Sequence, residues 1–300
     1  MTTALFVLPD HVHMLDVAGP AQVLGAAADC GAEYRLRYFG ETATVRSHQG
    51  LDFAAETRWP DLHADDVVVV PGWRASGARV PLTRDTLRSI ATHHGRGGTI
   101  MSVCSGAFAL AAAGLLDGRR CTTHHELCAD LAAGCPGADV VRDVLYVVDG
   151  RVRTSAGIAS GIDAALGLLA DRHGPAVAAK VARTMVVYTR RNGDSPQSSL
   201  MLAYRDHTND AVHRALDLID SRFTEPLPLQ AIARHAGVSE RTLTRAFGAV
   251  ADTTPLRYQQ ALRVEHAEAL IAGGVTVEGA AHAVGFADAR MLRRLRSARP

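Results

Sequence analysis

A chain of 300 residues is enough for about two domains. Hydrophobic residues make up 47% and charged residues 21%, a balance that excludes a mainly disordered chain. Lys and Arg total 32 against 31 Asp and Glu, so the net charge of +1 gives no global argument for a nucleic-acid partner. Lys180 is the only lysine; the arginine bias suits phosphate and guanine recognition, and a GC-rich genome gives the same bias. Met1–Asp10 has no basic start before its apolar run and reads as a first strand, not a signal peptide. No stretch reaches the ~20 apolar residues of a membrane span, so a cytoplasmic protein with no membrane partner is expected. Short apolar runs at Ala4–Leu8, Leu36–Gly40, Val67–Pro71 and Thr99–Val103 predict strands. The unbroken run Val67–Val70 suits a parallel strand buried on both faces. Helical patterns lie between them at Val17–Asp29, Thr83–His94, Gly106–Leu115 and His124–Ala133. Asp149-Gly150 between apolar strands in Val144–Thr154 signals a hairpin. Two more helices follow at Ile158–His173 and Pro175–Arg190. Strands alternating with helices predict an α/β class domain over residues 1–190.

The polar stretch Arg191–Ser199 contains Gly and Pro without periodicity and reads as part of a linker over 191–205. The rest, 206–300, is all helical in pattern. Ala233, Gly237 and Leu243 are spaced four and six residues apart, and Ala281, Gly285 and Met291 repeat the intervals 48 residues later. This is helix-turn-helix spacing: a small residue at the helix crossing, a left-handed glycine in the turn, an apolar anchor on the second helix. Val238 is expected to be buried and Ser239 to cap the helix that follows. Asp288 is expected to cap Ala289–Arg296. Pro255–Ala272 reads as a long amphipathic connecting helix with Leu256, Leu262, Ala269 and Leu270 among its apolar positions.

Leu229–Phe247, Thr254-Pro255 and Ala280–Phe286 carry a resemblance to the AraC/XylS-type DNA-binding domain, covering roughly Ala211–Arg296. The resemblance implies two reading helices that enter successive major-groove segments of double-stranded DNA. Candidate DNA-binding residues are Ser239, Glu240, Arg241, Thr242, Thr244 and Arg245 on the first, and Ala289, Arg290, Arg293 and Arg294 on the second. Each position reads equally as part of a solvated helix face. Asp288–Arg299 holds five arginines against one aspartate, a local excess of +4, which concentrates phosphate attraction there. Relatives place an aromatic residue and a further short segment after the second reading helix. Here Leu295 is followed by Arg296–Pro300, and the domain reads as C-terminally short.

In the first half, Thr99–Phe108 runs from strand directly into helix with Cys104 at the turn, Ser102 two residues before and Gly106 two after. Small flanks are what a strained nucleophile elbow needs, and the helix N-terminus is expected to lower the thiol pKa. Leu15–Pro20, Val67–Gly72, Ser102–Gly106, Ala111–Gly118, Thr122–His124 and Thr154–Ile158 resemble the ThiJ/PfpI branch of the class I glutamine amidotransferase-like fold, over about residues 2–190. That implies a flavodoxin-like parallel sheet sandwich. With the second domain, the whole chain is similar to GlxA-type transcriptional regulators. The resemblance implies a pocket of Asp16, Gly72, Trp73, Cys104, Ser105 and His124, with Gly72 and the Ser105 N–H where an oxyanion hole would form. It also implies a small effector and a homodimer. If the pocket is catalytic, Cys104, Asp16 and His124 are the candidates, in an isonitrile hydratase-like or glyoxalase/deglycase-like reaction. A redox-sensing thiol or a structural role is the other reading. Two departures weigh against catalysis: Ser105 stands where many relatives have histidine, and Trp73 where many have a second glycine. Asp16 reads alternatively as a cap for the helix beginning at Val17, and His124 as a packed or capping histidine. Cys30, Cys121, Cys128 and Cys135 read as small core or surface residues. They match no zinc spacing, and no disulfide framework, metal or other cofactor is expected.

Overall fold

The structure, a computed structural model, describes residues 1–74, 79–187, 191–197 and 200–297. It divides into two units, Met1–Gln197 and Ser198–Pro300. Elements of the first unit, in chain order, are β1 (Thr2–Leu8), α1 (Met14–Ala26), β2 (Tyr34–Gly40), β3 (Thr44–Arg46), β4 (Asp52–Ala54), β5 (Val67–Val70), α2 (Arg84–Gly95), β6 (Thr99–Val103), α3 (Gly106–Ala112), β7 (Arg120–Cys121), α4 (Cys128–Gly134), β8 (Asp139–Val140), β9 (Tyr146–Asp149), β10 (Val152–Ser155), α5 (Ser160–His173) and α6 (Pro175–Thr184).

The main sheet runs β2-β1-β5-β6-β10-β9. All neighbours are parallel except the β9–β10 hairpin at one edge. The parallel strands follow the flavodoxin-type order, whose ligand sites collect at the carboxyl ends of the strands. Alternate residues of the central strands enter different cores. Phe6, Val67, Val69, Met101 and Val103 pack with α1, α5 and α6. Leu5, Val7, Val68, Val70 and Ile100 pack with α2, α3 and α4. Burial on both faces is why these strands carry continuous apolar runs.

The short pairs β3–β4 and β7–β8 are too brief to leave a periodic signature. Residues 191–197 are not a solvated linker. Tyr146 N donates to Gly193 O (3.1 Å), Leu145 N to Ser195 O (3.0 Å), and Gln197 N to Asp143 Oδ1 (3.0 Å). The polar segment satisfies backbone groups beside β9 at the sheet edge, a role that composition alone cannot distinguish from solvation. Residues 188–190 of the expected last helix, and 198 and 199 of the expected linker, lie outside the described residues.

The second unit contains α7 (Leu200–Ala203), α8 (Asp210–Arg222), α9 (Leu229–Ala236), α10 (Glu240–Ala251), α11 (Pro255–Ala272), α12 (Val277–Ala283) and α13 (Ala289–Ser297). It has two cores. Val212, Leu216, Ile219, Ile232, Leu243, Phe247, Tyr258 and Leu262 form one. Val264, Ala267, Ala280, Ala281, Val284, Phe286 and Leu292 form the other. The connecting helix α11 occupies its expected span but is not amphipathic in the expected sense. Its first half packs into one core and its second half into the other, so its apolar positions spread around the axis. Leu256, Ala269 and Leu270 are exposed, whereas Leu262 is buried. Among the described residues no helix is long and apolar enough to cross a membrane.

Candidate functional sites

Cys104 lies between β6 and α3 with φ +55°, a backbone conformation that costs an L-residue about 1–3 kcal/mol. Three glycines enclose it. A Cβ on Gly106 would lie 2.1 Å from Val70 O. One on Gly157 would lie 2.4 Å from Cys104 Cβ. One on Gly72 would lie 2.7 Å from that atom and 2.5 Å from Asp16 Oδ2. The elbow therefore depends on backbone at Gly72 and Gly157 approaching the cysteine side chain, and on Gly106 fitting against the end of β5.

Asp16 is fully buried in the first turn of α1. It does not cap the helix: Oδ2 accepts from Gly72 N (3.1 Å) and Oδ1 from Ile158 N (2.8 Å). Desolvation dominates over these two bonds and raises its pKa to about 6. The Gly72 N–H, expected in an oxyanion hole, is thus engaged by Asp16. Ser105 is also committed. Its hydroxyl accepts from Trp73 N (2.8 Å) and donates to Trp73 O (2.9 Å), while its N–H reaches the Cys104 sulfur.

That N–H favours the thiolate, as expected at a helix start, but it is outweighed. Cys104 is only 7% exposed. Burial first, then the negative charges of Asp16 and Glu126, push its thiol up to about 12. The expected lowering is therefore overturned: the group is a protonated thiol at neutral pH.

His124 does not join the cysteine. It pairs with Glu126 (3.5 Å), and its ring lies against His125 with centroids 4.3 Å apart. Burial and the His125 charge lower its pKa. It heads the turn at His125–Leu127 without a side-chain cap bond. His48 and His124, far from His13 in sequence, are both near enough to act on it. The His13 and His48 rings lie 5.4 Å apart, and the charges of His48, Arg74 and His124 add to burial in lowering the His13 pKa. Among the described residues no group of His, Cys, Asp and Glu is arranged to hold a metal. Cys30 is half-exposed, and the other three non-elbow cysteines are buried.

A cavity of about 700 Å³ lies on the α3–α4 side, lined by Trp73, Phe108, Leu127 and Leu131 with Arg79 and Asp130. Of the six expected pocket residues it includes Trp73 alone, so this cavity lies beside the elbow, not over the sulfur. Sequence reasoning missed Gly157, Ile158 and Thr123 as parts of the site. The Thr123 hydroxyl donates to Cys104 O (2.7 Å), and Thr123 O accepts from Gln197 Nε2 (3.1 Å). The motif Thr154–Ile158 contains the first two, but nothing in it names Asp16 as the partner of Ile158.

In the helical unit, the two turns form as the spacing predicts. Gly237 has φ +73° and Gly285 φ +86°. Ser239 Oγ accepts from Thr242 N (3.2 Å), and Asp288 Oδ1 accepts from Arg290 N (2.8 Å) and Met291 N (3.2 Å). Val238 is half-buried, less enclosed than expected. Glu240, Arg241, Thr242, Thr244 and Arg245 are exposed on α10. Ser239 and Thr242 bond each other within the cap (2.8 Å), and Thr244 donates to Glu240 O (2.9 Å), which among the described residues leaves Glu240, Arg241 and Arg245 as the side chains with no such bond. On α13, Arg290, Arg293 and Arg294 are exposed, whereas Ala289 is 1% exposed and belongs to the core. The second helix starts one residue later within the repeat than the first, at 289 where the 48-residue offset from Glu240 falls on 288. Its buried anchor is therefore Leu292, and Met291 is half-buried. Arg296 pairs with Glu268 (3.4 Å). Among the described residues Arg290, Arg293 and Arg294 form no ion pair.

Residues 2–171 match the DJ-1/PfpI family, and residues 232–297 match a helix-turn-helix domain. The HTH-type transcriptional regulator GbdR of Pseudomonas aeruginosa is 26% identical over 89% of this chain and 72% of its own length. The isonitrile hydratase of Pseudomonas putida is 37% identical over 54% of this chain and 68% of its own length. The crystal structure of an AraC family transcriptional regulator from Pseudomonas putida superposes with a TM-score of 0.54 at 23% identity, covering 62% of this chain and all of that one, a likeness of fold.

Proposed function

The chain belongs to the DJ-1/PfpI family, and from the helix-turn-helix pair that follows that domain we infer that it is a sequence-specific DNA-binding transcriptional regulator. The observation that carries this is two capped helices, each following a left-handed glycine turn, with exposed Arg241 and Arg245 on one and exposed Arg290, Arg293 and Arg294 on the other. Guanidinium forks on such helices suit guanine edges and phosphates. The α/β domain serves as a sensor for a small effector and as the surface for homodimer formation. Its route to the DNA-binding unit begins at the elbow. Thr123 holds the Cys104 carbonyl and receives Gln197, the last residue of the first unit, so a ligand that moves the elbow also moves the start of the connection.

A cysteine-dependent reaction is the second reading, favoured by the strained elbow with a carboxylate beside it. The protonated thiol, the engaged Gly72 N–H and the pairing of His124 with Glu126 support a non-catalytic role. Turnover of isonitriles or glyoxals that disappears in Cys104→Ala would establish the second reading.

The primary test is selection of duplexes from a random pool by the full chain, followed by gel shifts of Arg293→Ala and Arg294→Ala across a salt series. Enrichment of a defined sequence is expected. Each lost phosphate contact flattens the salt dependence by about one unit of log–log slope, whereas a lost base contact relaxes preference at one position. Failure to enrich any sequence would sink the reading.

A further inference from the structure

The two helix-turn-helix motifs are joined by more than the connecting helix. The segment after α8, Phe223–Glu225, is wedged between them, and one side chain fixes it there. Arg263, at the middle of α11, donates from Nε to Phe223 O (2.6 Å), from Nη2 to Glu225 O (2.8 Å) and from Nη1 to Gly285 O (2.8 Å). Its guanidinium lies over the Phe286 ring, 5.6 Å from the centroid. Gln259, one turn earlier, donates to the same Phe223 and Glu225 carbonyls (2.9 and 2.7 Å).

Gly285 is the turn glycine of the second motif, and a Cβ there would lie 1.9 Å from Thr224 O. The Phe223 ring packs against both cores. One planar fork thus ties the end of α8, a helix packed into the core of the first motif, to the turn that aims the second reading helix. Three of its bonds end on backbone carbonyls, so they fix main-chain position, not side-chain placement. Lysine, whose three donors share one nitrogen, cannot reproduce the planar spread of the fork.

We propose that Arg263 is a positioning residue that sets the distance and angle between the two reading helices, and so the base-pair spacing between the two DNA segments the protein accepts. The proposal rests on the DNA-binding reading above. Rotation of α13 about an unanchored turn would leave its arginines exposed and charged but no longer in register with α10. Arg263 itself touches no DNA in this account.

The test uses full-length protein and a spacer series. Starting from the duplex selected by the wild type, one or two base pairs are inserted or removed between the two protected tracts, and affinity is measured for wild type, Arg263→Met and Arg263→Lys. The wild type should lose about tenfold or more on altered spacers, as a misplaced base contact does. Arg263→Met should bind the native spacer more weakly and show a flattened profile, within about threefold across the series. Thermal melting reports whether the methionine variant folds; if it does not, Arg263→Lys, which keeps charge and stem, decides by the same criterion. A variant that binds weakly but keeps the wild-type spacing profile would overturn the proposal while leaving DNA binding intact. A wild type with no spacing preference would overturn both.

Discussion

Alkylation of Cys104 by iodoacetamide distinguishes a sensor elbow from a nucleophile. The thiol is raised from its ordinary 9.0 to about 12, which at about pH 8 lowers the reactive thiolate fraction from roughly one in ten to one in ten thousand, about a thousandfold. Burial of all but 7% of the residue slows attack further. Half-exposed Cys30 is the internal standard. Native protein is treated across a pH series, and each cysteine-containing peptide is quantified by mass spectrometry, with Cys104→Ala as the assignment control. Cys30 should be modified first. Cys104 should lag by about three orders of magnitude, its rate rising about tenfold per pH unit to pH 10 without levelling. A Cys104 rate that exceeds that of Cys30, or levels below about pH 8, would refute the reasoning, because it would require an ion partner or N–H set that stabilises the thiolate.

Asp16 predicts a pH dependence of stability. Its folded pKa of about 6 lies above the ordinary 3.8, so between those values the folded state binds more protons and stability falls as pH rises. The ionised carboxylate costs the folded state about 3 kcal/mol above that window relative to below it. Urea unfolding at about pH 4.5 and 7.5 should differ by about 2 kcal/mol of this contribution in the wild type, and the difference should vanish in Asp16→Asn; equal pH dependence in the two proteins would contradict it. The turn glycines offer an internal comparison. Gly237→Ala adds left-handed strain of about 1–2 kcal/mol, with Arg214 Nη2 at 4.0 Å as the nearest atom. Gly285→Ala adds the same strain plus a Cβ 1.9 Å from Thr224 O, and should cost at least twice as much in chemical unfolding; equal costs would mean that the segment after α8 yields freely. Thr123→Val should uncouple effector from DNA affinity while leaving affinity without effector near the wild-type value. An unchanged effector response measured by gel shift would remove Thr123 from the route.

The parts of this fold legible in the sequence are those in which local pattern and tertiary environment agree. Val67–Val70 is an apolar run because both sheet faces are covered, and the two turn glycines mark backbone that only glycine adopts without strain. The reading fails where one element serves two environments. Helix α11 divides its apolar residues between two cores, so Leu256 and Leu270, assigned to its apolar side, face solvent. Ala289 is misassigned because Asp288 starts its helix one residue late in the repeat. The site is less legible still. Asp16 is bonded to Gly72 and Ile158, 56 and 142 residues away, and a thiol pKa set by burial is invisible to a pattern that shows only the helix start beside it. The segment 191–197 carries the composition of a linker and the hydrogen bonds of a sheet-edge strap.

Hydroxyl-radical footprinting of the full chain on a selected duplex measures the central claim most directly. Two protected tracts on one face, about one helical turn of 10–10.5 base pairs apart, are expected, with protection of one tract weakened by Arg241→Ala and of the other by Arg293→Ala. A single tract, or even protection that disappears with modest salt and carries no boundary, would contradict a protein that reads DNA with both helices.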